Sequence, residues 1–533
     1  MKHTFKSLLG LAVLAVSANA LADCSSSGSC DTCEFPDAYA TNSDGNIYGQ
    51  TFYNPHPVQW SQFRRMSGVG TEKLHLFGSE EFYGVGSLAL EWQQTTHSNR
   101  LAQWFSFANR VDGEMTYGPV GSSTTYYNIE SLNFGTTTTG TVKMCPRIQN
   151  FIADIDIFLG WDEFICGLWS RFSIPINWTR WNLRLDDTAD AGTPSSVFTT
   201  GQYTNSATET DVAFANLKAA WAGNVGFGDA PALAKGKIDG RQSKTTVAGL
   251  KMELGYDFLR RERGHFALSF MVVAPTGNKP SAEFLFEPIS GSAGSWEIGG
   301  DVNGHWNFWE NADCNQSLGL HADVALVTAL KHEQTRLFGL KAGADRACSP
   351  GASYLMLKEL DSSDEYVGLQ RAANILALKS SIGAGFEANL GLLLKYMRNN
   401  WSADFGYELF HRSAEKICSR DAITEDKYVI NGGNLVYGNA NSKSYSTADI
   451  SLDSIADSTT VYVKDADVCT CTALQPSYLS NKFFNNYQYA WNNCDWEPTL
   501  LLGYSYEVGA SNQGVKNIAV NQWSVLAKGS ISF

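Results

Sequence analysis

An all-β fold is predicted: a closed antiparallel transmembrane β-barrel of about 16 strands (range about 12–18), with long loops and a short amino-terminal segment. Three observations predict it. Many segments alternate apolar and polar side chains with a period of two, which places one set on each face of a strand. Outside the first residues, no long uninterrupted apolar run exists, so helical membrane spanning is excluded. The composition is rich in aromatics (15 Trp, 22 Tyr and 29 Phe) and in Gly (48) but has only 14 Pro. Aromatics suit the interfacial girdles of a membrane barrel.

Met1–Ala22 reads as a secretory signal peptide. Lys2 and Lys6 start it, Leu8–Val16 is a short apolar core, and Ala20-Leu21-Ala22 is a small-x-small cleavage site. The formal net charge of -14 becomes -16 without Lys2 and Lys6. That balance argues against nucleic acid as a partner. Eleven Cys all follow the signal peptide. Export favours disulfides, and the odd number leaves one thiol free or bonded to another chain. Cys24, Cys30, Cys33, Cys469, Cys471 and Cys494 are the disulfide candidates. Cys30-Asp-Thr-Cys33 lacks the second ligand pair of a zinc site, so no metal and no cofactor are expected.

Residues 23–79 show no sustained alternation and read as a periplasmic segment or partial plug. Residues 80–533 read as the barrel. Its first strand carries Leu88, Leu90 and Trp92 on one face and Ala89, Glu91 and Gln93 on the other. Asp154–Leu159 and Phe164–Trp178 alternate next, with Pro175 expected to end a strand because it cannot donate to a ladder. Trp181, Leu183 and Leu185 then oppose Arg180, Asn182 and Arg184. Residues 186–244 break the pattern and read as a long loop, either extracellular or folded into the lumen. Alternation resumes at Leu250–Phe258, Phe266–Val272, Trp296–Phe308 and Leu318–Leu326. The clearest hairpin pairs Phe386–Tyr396 with Trp401–Leu409 across Arg398-Asn-Asn400. Residues 412–493 read as a second long polar loop.

Twelve charged or titratable residues fall on the polar face and are pore-lining candidates: Arg171, Arg180, Arg184, Glu253, Asp301, His305, His321, Asp323, Glu387, Asp404, Glu408 and Glu507. A charge at mid-depth on the lipid face costs about 2–4 kcal/mol, which is the reason acids should face inward. For the three arginines, pairing with acidic neighbours in the wall fits as well as a pore field.

The penultimate strand shows Leu500, Leu502, Tyr504 and Tyr506 outward. The last shows Trp523, Val525, Ala527, Gly529, Ile531 and Phe533 on one face, and Gln522, Ser524, Leu526, Lys528, Ser530 and Ser532 on the other. Leu526 is the exception in the polar set. This terminal strand, closing on Phe533, resembles that of Gram-negative outer-membrane β-barrel (porin-like) proteins. The resemblance implies recognition of the last strand by the barrel assembly machinery. It implies a bilayer with lipopolysaccharide as surroundings. It also implies passive diffusion of small hydrophilic solutes or ions, in a homotrimer or among disulfide-linked neighbours. The Cys-rich start together with Phe533 is similar to the cysteine-rich major outer-membrane proteins of chlamydia-like bacteria, which implies disulfide cross-linking. The long polar loops favour an alternative: a surface adhesin or structural coat protein. No nucleophile elbow or zinc-protease helix occurs, so an enzyme is not expected, a barrel-rim hydrolase being the remote alternative.

Overall fold

The computed structural model describes residues 50–533 apart from residues 97, 106–113, 119–126, 129–138, 190–213, 314, 343–346, 350–352, 364–365, 384, 431–461, 492–495 and 510–518. The proposed signal peptide and Cys24, Cys30, Cys33 and Cys494 therefore lie outside the described residues.

Twelve long strands form the wall. They are β1 (Tyr83–Thr96), β2 (Arg147–Gly160), β3 (Leu168–Asn182), β4 (Leu250–Arg261), β5 (Gly264–Ala274) and β6 (Glu297–Glu310). They continue as β7 (Gln316–Ala329), β8 (Phe386–Arg398), β9 (Trp401–Arg412), β10 (Tyr478–Ala490), β11 (Glu497–Gly509) and β12 (Asn521–Ser532). Each pairs antiparallel with its sequence neighbours, and β1 pairs with β12 from Val85–Ser532 to Thr96–Asn521. The ring is closed, so no strand edge is left to face lipid, where nothing could satisfy its backbone groups.

The expectation of about 16 strands is corrected to 12. Two causes are visible. The strands are 11–15 residues long, so segments that read as separate pieces belong to one strand. Short strands such as His332–Leu337 and Ala377–Gly383 pair outside the ring. Conversely, β10 lies within the stretch that reads as a long polar loop.

Pro175 does not end a strand. It sits inside β3, opposite Asp154 of β2. On its other side the partner changes: β4 pairs with β3 up to Ser173, and Arg241–Val247 takes over from Ile176. The break at Ala248-Gly249 falls beside the residue that cannot donate, and the Ala248 N–H donates to the Pro175 carbonyl at 2.8 Å. Alternation therefore runs unbroken through β3. Trp181 faces in, and Arg180 shares the outward side with Phe172 and Ile176.

The two ends differ. One carries short connections, such as Arg261 to Gly264 and Arg398 to Trp401, where Asn399 takes the left-handed conformation (φ 52°). Exposed Phe164, Trp306, Trp309, Trp401, Trp491, Trp496 and Phe533 ring this end. By the usual build of such barrels it is the periplasmic rim. Between the rims the outward side is apolar: Leu88, Ile155, Leu254, Phe270, Leu392, Phe405, Leu502 and Val525 are all exposed.

The other end carries the long loops, which fold together. Tyr53, Trp104, Phe105, Trp181, Trp221, Phe286, Phe338 and Leu376 are buried in one apolar cluster that caps the barrel. Arg336 pairs with Glu415 at 3.0 Å inside it and lies over the Phe52 ring. On the cap, a bidentate hydrogen bond from Arg420 holds Asp465 below the usual carboxylate range. Cys418, Cys469 and Cys471 are disulfide-bonded, and Cys145 and Cys166 are free.

Leu392 lies mid-strand on the lipid side. The variant Leu392→Lys is expected to lose about 2–4 kcal/mol in urea unfolding from lipid vesicles. A loss under about 0.5 kcal/mol, the usual range for an innocuous surface change, would contradict this placement.

Candidate functional site

The lumen is occupied by the chain's own residues 50–82. The segment enters through the loop cap, where the Gln50 N–H donates to the Trp104 carbonyl and the Thr51 N–H to the Thr472 carbonyl. It leaves at the short-turn end, where Lys73 reaches Glu497 at 3.5 Å. Between them lies a short helix, α1 (Gln62–Met66), whose Ser61 cap accepts from the Arg64 N–H.

The sequence of α1 explains its seat. Phe63 and Met66 are three apart, so they share a face. They pack on Ala89, Leu393, Phe484, Leu501 and Leu526, all inward-facing and buried. Leu526, the one apolar residue in the polar set of the last strand, is thereby accounted for: it is 3% exposed while its neighbour Val525 is 47% exposed. Two glycines give the room. A Cβ at Gly391 would come within 2.4 Å of the Met66 sulfur, and one at Gly503 within 3.1 Å of the Phe63 ring.

The other sides of α1 are cationic. Arg64 pairs with Glu91 and, at 3.0 Å, with Asp154. Arg65 reaches Glu253 at 2.6 Å, Asp323 at 2.6 Å and Asp301 at 3.1 Å. Five carboxylates from five strands thus close on two adjacent guanidinium groups. Lys251 adds a contact to Glu253 at 3.3 Å, and the Gln62 amide donates to Asp323 at 2.6 Å. Such pairs hold only because each buried charge meets opposite charge and hydrogen bonds.

Two further clamps flank this ring. Towards the cap, His56 stacks on Phe410 and contacts Glu507 at 3.1 Å. Lys482 bridges Glu507 and Glu408 at 3.3 and 3.1 Å, and Glu408 accepts from the Gln62 N–H. Towards the short turns, Glu72 pairs with Lys528 at 3.0 Å, and His75 with Asp257 at 2.8 Å.

Of the twelve sequence candidates, ten face the lumen: Arg171, Glu253, Asp301, His305, His321, Asp323, Glu387, Asp404, Glu408 and Glu507. Two do not. Arg180 lies outside, over the Trp178 ring, and Arg184 is exposed beyond the end of β3 with φ 51°. The group of three arginines is therefore not one set. Arg171 pairs with Asp156 at 2.9 Å. Sequence reasoning missed Arg64, Arg65, His56 and Lys482. Residues 23–79 read as either a periplasmic segment or a partial plug; the signal that could have separated the two is the inward leucines, Leu393, Leu501 and Leu526, which need an apolar counterpart inside the ring.

No family model matches the chain, and no curated protein matches it. Solved structures give distant likenesses. An outer-membrane channel from Pseudomonas putida F1 aligns with 9% identity and a TM-score of 0.35, covering 86% of this chain and 99% of that one. The NanC porin gives 9% and 0.24, with 72% and 94% covered. A FadL homologue from Pseudomonas aeruginosa gives 7% and 0.26, with 91% and 99% covered. The likeness to cysteine-rich proteins of chlamydia-like bacteria is not supported. At these scores the class rests on this chain's own features. A closed ring, an apolar outer band and an aromatic rim define an all-β barrel of the outer-membrane kind.

Replacing Arg65 by Ala leaves Glu253, Asp301 and Asp323 facing one another without their shared cation. The variant is expected to lose about 3–5 kcal/mol in urea unfolding, the usual cost of removing one partner of a buried pair. Arg65→Lys should recover only part, because an ammonium cannot reproduce the planar fork.

Proposed function

We propose that this protein is an outer-membrane channel for small hydrophilic solutes or ions whose conducting state requires residues 50–82 to move. The observation that carries the reading is the plug itself. It is held to the wall by a dense set of ion pairs and hydrogen bonds, together with apolar contacts through Phe63 and Met66, through Val58 and Trp60, and through Leu74 and Leu76. Much of the inward face is polar beyond those pairs, with Gln93, Asn150, Asn177, Asn486, Gln488 and Ser505 buried there. Displacing the segment would expose a wall that water can wet. An open lumen suited a ring of about 16 strands; a ring of 12 is narrower, and one short helix goes far towards filling it.

The outward band meets hydrocarbon and, in the outer leaflet, lipopolysaccharide. The strand ending at Phe533 is the segment for the assembly machinery. The folded loop cap favours a second reading, a surface coat or adhesin in which the barrel serves only as anchor.

Planar-bilayer recording separates them. The wild-type protein is expected to be mostly closed. The double variant Arg64→Ala/Arg65→Ala is expected to give steady ion-conducting steps. Folding is checked by gel mobility with and without boiling. A folded double variant that stays silent would overturn the channel and leave the anchor reading.

A further inference from the structure

Four of the nine histidines meet in one place. His265, His305 and His321 are direct cross-strand partners on β5, β6 and β7, so they form a row across three strands on the lumen side. Their rings follow one another, with centroids 4.5 Å apart for His265 and His305 and 5.3 Å for His305 and His321. The plug supplies the fourth. The His75 ring stacks on that of His265 at 4.2 Å and an interplanar angle of 9°. Asp257 of β4 lies beside them, its carboxylate 2.8 Å from Nδ1 of His75.

Several features exceed what packing requires. His75 holds a left-handed backbone (φ 54°), an unfavourable conformation for a residue with a side chain, and one that recurs at functional sites. Nε2 of His265 lies 3.0 Å from Oδ1 of Asn303, an oxygen that can only accept. That contact fixes the proton on Nε2 and leaves Nδ1 with its lone pair. The same Nδ1 faces Nδ1 of His305 at close range, so the two nitrogens cannot both carry protons. A cavity of about 40 Å³ adjoins the cluster, lined by His75, His265, His321, Asn303, Trp169 and Asp323 among others. That is room for an ion and a water.

We propose that His75, Asp257 and His265 form a site for a divalent transition-metal ion of the zinc, cobalt or nickel kind, bridging plug and wall. One donor atom from each lies within 4.8 Å of the others. Two imidazole nitrogens and a carboxylate are a donor set these ions accept, with a fourth position left for His305 or water. Asn303 orients His265 from behind. The ion would pin the plug's exit segment to β4 and β5, near the short-turn end. The proposal rests on the lumen geometry and stands whether or not the barrel conducts.

The test uses the full chain, refolded in detergent, its free thiols alkylated and its metal stripped by chelator. Zn²⁺ is titrated by calorimetry, and Co²⁺ by its visible absorption. One equivalent per chain is expected. His75→Gln and His265→Ala should each weaken binding at least about tenfold. His332→Ala, outside the cluster, should leave it unchanged. Because His75 belongs to the plug rather than the wall, His75→Gln should keep the heat-dependent gel shift even if His265→Ala does not fold. No stoichiometric binding by folded wild type, or binding that His75→Gln leaves intact, overturns the proposal.

Discussion

The structure depends on two adjacent arginines meeting five carboxylates inside a closed ring. Arg64 and Arg65 stand on one turn of helix, and Glu91, Asp154, Glu253, Asp301 and Asp323 come from five different strands. Neither partner is comfortable alone. A guanidinium withdrawn from water costs several kcal/mol, and so does each unpaired acid. Together they hold the plug inside the closed ring. The same constraint explains why the acids face inward at two levels of cause: lipid rejects them on one side, and the plug recruits them on the other.

The rest of the lumen is shaped to that contact. Gly391 and Gly503 carry no side chain where Met66 and Phe63 approach, and the inward leucines meet those two side chains. Lys482, His56, Lys528 and Glu72 extend the pairing above and below. At one end the segment runs into the apolar loop cap; at the other it reaches the turns. A seat that combines apolar packing with this many charge pairs is one that a change of charge can loosen, unlike a wholly dry apolar core. That is the physical basis for the proposed movement of the plug.

The wall was legible in the sequence because lipid imposes a period of two. Leu392, Val525 and Leu254 could be assigned to the outside, and Glu253, Asp301 and Glu507 to the inside, from alternation alone. The strand number was not legible, because short alternating pieces in the loops look like wall strands and long wall strands look like two pieces. Pro175 misled for a local reason: its missing donor is tolerated where the neighbouring chain breaks at Ala248-Gly249. Arg180 was misplaced with it, since a strand end there would have reset the alternation. The plug was the hardest to read. Its residues have no repeating pattern, and its partners are strands up to several hundred residues away. The only local trace was a handful of leucines on the wrong face.

The most direct measurement is intramolecular cross-linking of plug to wall in the intact membrane. Met66→Cys/Gly391→Cys places two thiols at the closest approach of α1 to β8, and oxidation followed by peptide mass spectrometry locates any bond. A plug seated on Gly391 gives a high yield of the 66–391 bond, with both thiols shielded from a membrane-impermeant alkylating reagent before oxidation. A folded barrel in which that bond does not form, and in which residue 66 reacts freely with the reagent, would contradict an occupied lumen.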